Sequence, residues 1–242
     1  MTLPAAVPVG DIVALTVPGN VLSFNRATPA ALKGSIAVSN LQANEKLVGL
    51  DTRPATGLLY ALSDLARIHT LNAATGVATF RTALSAATGD DNPYTALISS
   101  QFGVGFNPFA DRLRVISNTG LNMRIGADTG AATTGGVINR AGAPPMVAGG
   151  AYSNSFAGAR CTVLYDLDAA SPVLAQQVPP NDSTLVNIGA LTVPLQVRRR
   201  WTLQAVPTAW CWPPCAPLPP AHHAVHRVAD HRRSHAVPQH HQ

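Results

Sequence analysis

The feature that most constrains this chain is a unit of short apolar segments and turns that recurs along the sequence. In the clearest copy, apolar segments at 47–52 and 58–62 flank a turn at 53–57, and segments at 67–71 and 77–80 flank a second turn. Weaker or partial copies begin near residues 11, 102 and 162. Units of about 40–50 residues, each with about four short strands, are typical of β-propeller blades.

Turn residues mark where the expected strands end. Pro54 presets φ and Gly57 tolerates positive φ, so 54–57 reads as a tight turn. The turn that begins at Asn72 has counterparts at Asn25 and Ala127, which lie 47 residues before it and 55 residues after it. We therefore predict an all-β, β-propeller-like repeat of short antiparallel strands that is incomplete as a ring, followed by an irregular C-terminal tail.

Charge is distributed unevenly, and this predicts two regions. The chain has 242 residues and a formal net charge of +5, and the six arginines and one aspartate of 198–242 account for all of that excess. The same segment holds all three tryptophans, seven of the eight histidines and none of the 19 glycines. We predict a repeat domain at 1–197 and a tail rich in proline, histidine and arginine at 198–242, disordered or non-native and consistent with a shifted reading frame.

The tail offers two functional alternatives that the sequence supports poorly. Cys211 and Cys215 precede His222, His223 and His226, which are zinc-ligand types. Only six residues separate the cysteines from the histidines, fewer than the roughly twelve of a zinc finger. The basic run 198–200 is typical of a solvated segment. With a neutral repeat domain, we expect no nucleic-acid partner.

Several protein classes are disfavoured by missing signals. No segment reaches the roughly 18 apolar residues of a membrane span, and no signal peptide is visible at the N terminus. His69 is the only histidine of the repeat domain and no G-x-S-x-G motif is present, so a Ser–His–Asp site is not expected. Cys161 is the only cysteine of that domain, which excludes an internal disulfide and favours a structural role.

Carboxylates are the remaining candidates for chemistry. Asp90 and Asp91 lie in an oxygen-rich loop that could favour Ca²⁺, although its spacing is not that of an EF-hand. Asp166 and Asp168 alternate with a leucine, so they share one face of the expected strand and could hold a metal. These four residues are the metal candidates, and the catalytic residues stay unknown. A polar turn and a strand end near solvent are the competing interpretations.

A second set of charged residues recurs at equivalent hairpins. Its members are Asp51, Arg53, Asp111, Arg112 and Arg114. We predict that such residues form ion pairs between neighbouring blades. The alternative places some of them around a central channel, where they could bind a ligand.

The repeat also resembles a known family. The segments 47–62, 71–76, 105–115 and 165–168, with the later 179–185, resemble the bacterial family catalogued as domain of unknown function 4394, over about residues 10–195. The resemblance implies a propeller-like and exported protein, extracellular or periplasmic. That family has no established molecular function, so the resemblance supplies no catalytic residues.

Two functional hypotheses follow from the sequence. The first is an exported, non-catalytic binding or surface-interaction scaffold with no cofactor and with an unknown ligand or protein partner. The second is a Ca²⁺-assisted hydrolase of the propeller type that uses the aspartates. Convergence of the aspartates on one point would favour the hydrolase, whereas pairing with arginines at blade edges would favour the scaffold.

Overall fold

The computed structural model describes residues 5–192 and places sixteen strands in four sheets. The first sheet contains β1 (Ile12–Leu15), β2 (Asn20–Asn25) and β3 (Thr28–Ala37). The second contains β4 (Leu47–Thr52), β5 (Leu59–Ser63), β6 (Arg67–Leu71) and β7 (Ala78–Ala83). The third contains β8 (Ser85–Ala86), β9 (Phe102–Asn107), β10 (Arg112–Ser117), β11 (Asn122–Ile125) and β12 (Ala131–Thr134). The fourth contains β13 (Val147–Tyr152), β14 (Leu164–Asp168), β15 (Val173–Gln177) and β16 (Leu185–Ala190).

In each sheet, strands that are consecutive in the chain pair as an antiparallel meander, with β8 as the one exception among the described strands. The short β8 follows the last strand of the second sheet in the chain, and it pairs in parallel with β12 of the third sheet. Residues 5–192 contain no helix. The described part is therefore all-β, with four small sheets in a propeller-like arrangement, as the sequence predicted.

One junction recurs three times where the chain passes from one sheet to the next. A residue two to five positions after the end of an outer strand donates its N–H to a carbonyl in the last turn of the following sheet. The three donor–acceptor pairs are Ser39 to Gly76 (2.9 Å), Ser85 to Gly130 (3.0 Å) and Asn139 to Ser183 (2.9 Å). All three acceptors have positive φ, between 67° and 76°. This junction fixes β3, β7 and β12 as equivalent outer strands.

The core lies between the sheets. Between the second and third sheets, Tyr60 and Phe106 meet edge to face with their ring centroids 5.3 Å apart, and Leu62, Ile68 and Met123 are fully buried around them. A second cluster joins the first and second sheets, and a smaller one joins the third and fourth. Each sheet thus buries a face against its neighbour, which one four-stranded sheet alone could not do.

The strands β4, β9 and β13 approach one another too closely for ordinary side chains. A Cβ added to Gly49 would lie 2.3 Å from the Val104 side chain, and one added to Gly103 would lie 2.7 Å from the Gly150 backbone nitrogen. These glycines are therefore required by packing between sheets. The pairing of β13 with β14 shifts register between Val147 and Gly149.

Two of the differences between the predicted and the observed strands lie in the fourth and the first sheets. β13 was missed, because its glycines and alanines resemble a loop sequence. In the first unit, β3 extends through the proline-containing segment that follows Asn25, where only a turn was expected. The predicted tail 198–242 and its zinc candidates Cys211, Cys215, His222, His223 and His226 lie outside the described residues, as does the basic run 198–200.

Candidate functional site

Arg53 is the centre of an ion-pair cluster between the second and third sheets. It follows β4, and its guanidinium bonds two carboxylates that project from turns of the third sheet. Nε and Nη2 reach the Asp111 oxygens at 2.8 and 2.6 Å, and Nη1 and Nη2 each reach an Asp128 oxygen at 2.8 Å. The bonds to Asp111 and Asp128 raise the pKa of Arg53, and the pKa of Asp128 is correspondingly lowered by Arg53.

Asp51 lies two residues earlier and also reaches across to the third sheet. Its Oδ2 accepts a 2.6 Å hydrogen bond from the Phe106 backbone N–H, and its Oδ1 accepts one from Thr52 at 2.8 Å. Burial raises the pKa of Asp51 to about 7, although both backbone hydrogen bonds oppose the shift. This carboxyl group therefore fastens β4 to β9 and titrates far above the usual range.

Asp166 is the most isolated carboxyl group in the described residues. It is completely buried on β14, and no described group donates a hydrogen bond to either of its oxygens. It lies directly over Gly150, where an added Cβ would be 2.6 Å from Oδ1. Burial raises the pKa of Asp166 to about 8, and the charge of Arg114 only partly offsets this. The group is mostly protonated at neutral pH.

Arg114 joins the third and fourth sheets. Its guanidinium donates to the Tyr152 hydroxyl at 3.0 Å, to Asn122 Oδ1 at 2.7 Å and to Asn181 Oδ1 at 3.1 Å. Only 4% of this arginine is exposed. Its bonds reach β13 and the turn before β16, so one side chain connects three separate segments across the boundary.

Asp168, two residues after Asp166, has different surroundings. Its Oδ1 accepts hydrogen bonds from the backbone of Met146 at 2.8 Å and of Ala170 at 2.9 Å. Its Oδ2 lies 2.7 Å from Nη2 of Arg140, which makes an ion pair, although the angle is not that of a hydrogen bond. The two aspartates share a face of β14, as predicted, but they contact different groups.

A buried cluster that the sequence interpretation missed surrounds His69. Nε2 of this histidine lies 2.8 Å from Oε1 of Glu45, while Oε2 of Glu45 accepts a 2.9 Å bond from Arg67. Burial tends to raise the pKa of Glu45, but hydrogen bonds from Ser63, the Gln42 amide and His69 outweigh it, and the pKa is lowered. No group of the described residues pairs with Nδ1 of His69. Nothing in the sequence pattern indicated this pairing, because Glu45 lies in a loop 24 residues away from His69.

The Asp90–Asp91 loop is engaged in a turn. Asp90 accepts hydrogen bonds from Asn92 N–H at 3.2 Å and from Thr134 N–H, at the end of β12, at 2.8 Å, whereas Asp91 is exposed. Within residues 5–192, no three His, Cys, Asp or Glu side chains are grouped so that they could hold a metal ion. The metal role of Asp90, Asp91, Asp166 and Asp168 stays a prediction.

Of the recurring charged residues, Arg53 and Asp111 pair between sheets as predicted. Arg112 is exposed, and Arg114 bonds neutral groups. Cys161 is half-buried and disulfide-bonded.

Residues 5–192 include no helix that could span a membrane.

The fold and these contacts define an all-β, propeller-like protein whose ionisable side chains join neighbouring sheets. The chain belongs to the family described as Domain of unknown function (DUF4394), which matches residues 20–203. No curated protein shows significant sequence similarity to it.

Two solved structures resemble the fold at a distance. One is an auxiliary nutrient binding protein from Bacteroides ovatus ATCC 8483, with 16% identity and a TM-score of 0.42 over 70% of this chain and 44% of that one. The other is BamB from Moraxella catarrhalis, with 11% identity and a TM-score of 0.35 over 76% of this chain and 46% of that one. The chain spans less than half the length of either protein, and neither likeness carries an argument about function.

Proposed function

We propose that this protein is a non-catalytic binding or surface-interaction scaffold that acts after export, outside the cytoplasm. The observation that carries the proposal concerns the contacts that carboxyl groups make between neighbouring segments. Asp51, Asp111 and Asp168 each contact a neighbouring segment, through a backbone amide or an arginine. Carboxylates bound in this way hold sheets together and are poorly placed to take a proton from a substrate.

A Ca²⁺-assisted hydrolase is the second candidate function, and one observation about two aspartates favours it. Asp166 has two oxygens without hydrogen-bond donors among the described residues, and Asp91 faces solvent. Hard cations prefer such oxygens. Against this candidate, the Arg114 charge lies near Asp166, and Gly150 and Ile116 pack closely around it.

Thermal unfolding of the full chain separates the two candidates. We expect the same melting temperature in Ca²⁺, in Mg²⁺ and in chelator, because ligand binding to the folded state alone would raise it. We also expect no turnover of p-nitrophenyl acetate or of bis(p-nitrophenyl) phosphate with Ca²⁺ present. A Ca²⁺-specific rise in melting temperature that Asp166→Asn or Asp91→Asn abolishes would support the hydrolase instead.

Export is tested separately by cell fractionation. The proposal expects the natural protein in the periplasmic or extracellular fraction, with a cytosolic enzyme as the control. A protein found wholly with that cytosolic enzyme would contradict the export part of the proposal.

A further inference from the structure

The first sheet differs from the others in the position of its strands. The recurring junction makes β3 the outer strand, equivalent to β7 and β12, so β2 and β1 correspond to the third and second strands of a complete sheet. In the other sheets the innermost position belongs to β4, β9 or β13. Within residues 5–192, no strand takes this position beside β1.

The edge of β1 that faces away from β2 carries specific polar groups. The N–H of Thr16 donates to Asn20 at 2.9 Å, and Val13 and Leu15 stand opposite Ser23 and Val21. Because paired and unpaired residues alternate in an antiparallel ladder, the N–H and C=O groups of Val13 and Leu15 point to the open edge. Each of these two residues is only 7% exposed.

Buried backbone groups are almost always paired, since an unpaired one costs about 1–3 kcal/mol. The described residues supply no partner for Val13 or Leu15 at this edge. Their side chains pack with Leu50 and Ala61 of the second sheet. An edge that is apolar, nearly buried and unpaired is suited to accept one more strand with alternating apolar residues.

The spacing of the chain identifies the segment that fits. From the last residue of an outer strand to the first residue of the next innermost strand, the residue number rises by ten (Ala37 to Leu47), nineteen (Ala83 to Phe102) and thirteen (Thr134 to Val147). Counted from Ala190, the end of β16, the same distances reach residues 200 to 209. The family match continues to residue 203.

We propose that the open edge of β1 is a docking site for segment 200–206 of this chain. In that segment Trp201, Leu203 and Ala205 alternate with Arg200, Thr202 and Gln204, which is the pattern that a half-buried strand requires. The proposal assigns a role to residues that lie beyond the domain boundary predicted at 197.

Amide hydrogen exchange on the full chain tests the proposal. The Val13 and Leu15 amides should be protected in the wild-type protein, as the Ala14 amide is through β2. Leu203→Pro should speed exchange at Val13 and Leu15 by at least about tenfold while Ala14 keeps its protection, because proline cannot take part in a ladder. Ala221→Pro is the matched control and should change neither.

Three outcomes would overturn the proposal. They are fast exchange at Val13 and Leu15 in the wild-type chain, equal effects of the two proline variants, and protection that rises with protein concentration. The last would mean that a second copy occupies the edge.

If Leu203→Pro also speeds amide exchange at Ala14, the variant has lost the first sheet. Cross-linking of the otherwise unchanged chain then tests whether segment 200–206 lies at the edge of β1. Photo-reactive benzoylphenylalanine in place of Ile12, which is half-buried on β1, should cross-link within the same molecule to residues 200–206. Cross-links only to other segments, or between molecules, would contradict the proposal.

Discussion

Arg53 can join two sheets because one guanidinium presents enough donors for two carboxylates. Its partners, Asp111 and Asp128, occupy different turns of the third sheet, and its own side chain is only 10% exposed. An arginine in that position bonds in two parallel pairs, which a single ammonium group cannot do. The recurrence of charged residues at equivalent hairpins predicted ion pairs between neighbouring sheets, of which Arg53 with Asp111 is one, but it named neither this pairing nor Asp128.

The first prediction concerns this residue. Arg53→Lys should lower the free energy of unfolding by about 2 kcal/mol, because the bidentate contacts of this largely buried guanidinium are lost. Arg26→Lys is the control: Arg26 pairs with Asp11 at 3.0 Å but both side chains are largely exposed, so a loss within about 0.5 kcal/mol is expected. Equal losses in urea unfolding would show that the Arg53 cluster is no stronger than a surface pair.

At the scale of elements, turns fix how one sheet meets the next. Gly76 and Gly130 have positive φ and lie against the carbonyl oxygens of Ala37 and Ala83, so they need both the conformation and the small size of glycine. The equivalent residue of the fourth sheet is Ser183, whose hydroxyl bonds Gly136 O at 2.5 Å. The turn sequences predicted the glycine conformation but not the contact with the preceding sheet.

The second prediction separates these two requirements. In Gly76→Ala the new methyl group would lie 2.2 Å from the Ala37 oxygen, so we expect a loss of more than about 3 kcal/mol, or failure to fold. Gly57 has the same φ of 69° but open space around it, so Gly57→Ala should cost only about 1 kcal/mol. If the two variants melt at the same temperature, the contact between sheets is unimportant.

At the scale of the whole molecule, buried acids make stability depend on pH. Asp51 and Asp166 have folded-state pKa values raised to about 7 and about 8, whereas an unfolded aspartate titrates near 4. Between those values the folded state holds protons that the unfolded state has lost. The stability contributed by these groups therefore falls as pH rises from about 4 to about 8.

The third prediction isolates Asp166. Asp166→Asn removes the ionisable group, so the fall in stability from pH 5 to pH 8 should be shallower by up to about 1.4 kcal/mol per pH unit. Asp91→Asn, at an exposed site, should leave the slope unchanged. Chemical denaturation across this pH range measures both, and parallel slopes for wild type and Asp166→Asn would refute the assignment.

The sequence by itself determined the strand class, the approximate blade length, the turns and the expectation of ion pairs between sheets, because these depend on local periodicity and on repetition. It missed β13, whose glycines carry no strand signal of their own and are explained only by contact with β9. It also could not distinguish Asp166 from Asp168, which look alike in the chain. Only the tertiary structure showed that Asp168 lies beside Arg140 and backbone amides, whereas Asp166 lies over Gly150 without a hydrogen-bond donor among the described residues. The reason is that the burial and the partners of each aspartate are set by segments distant in sequence.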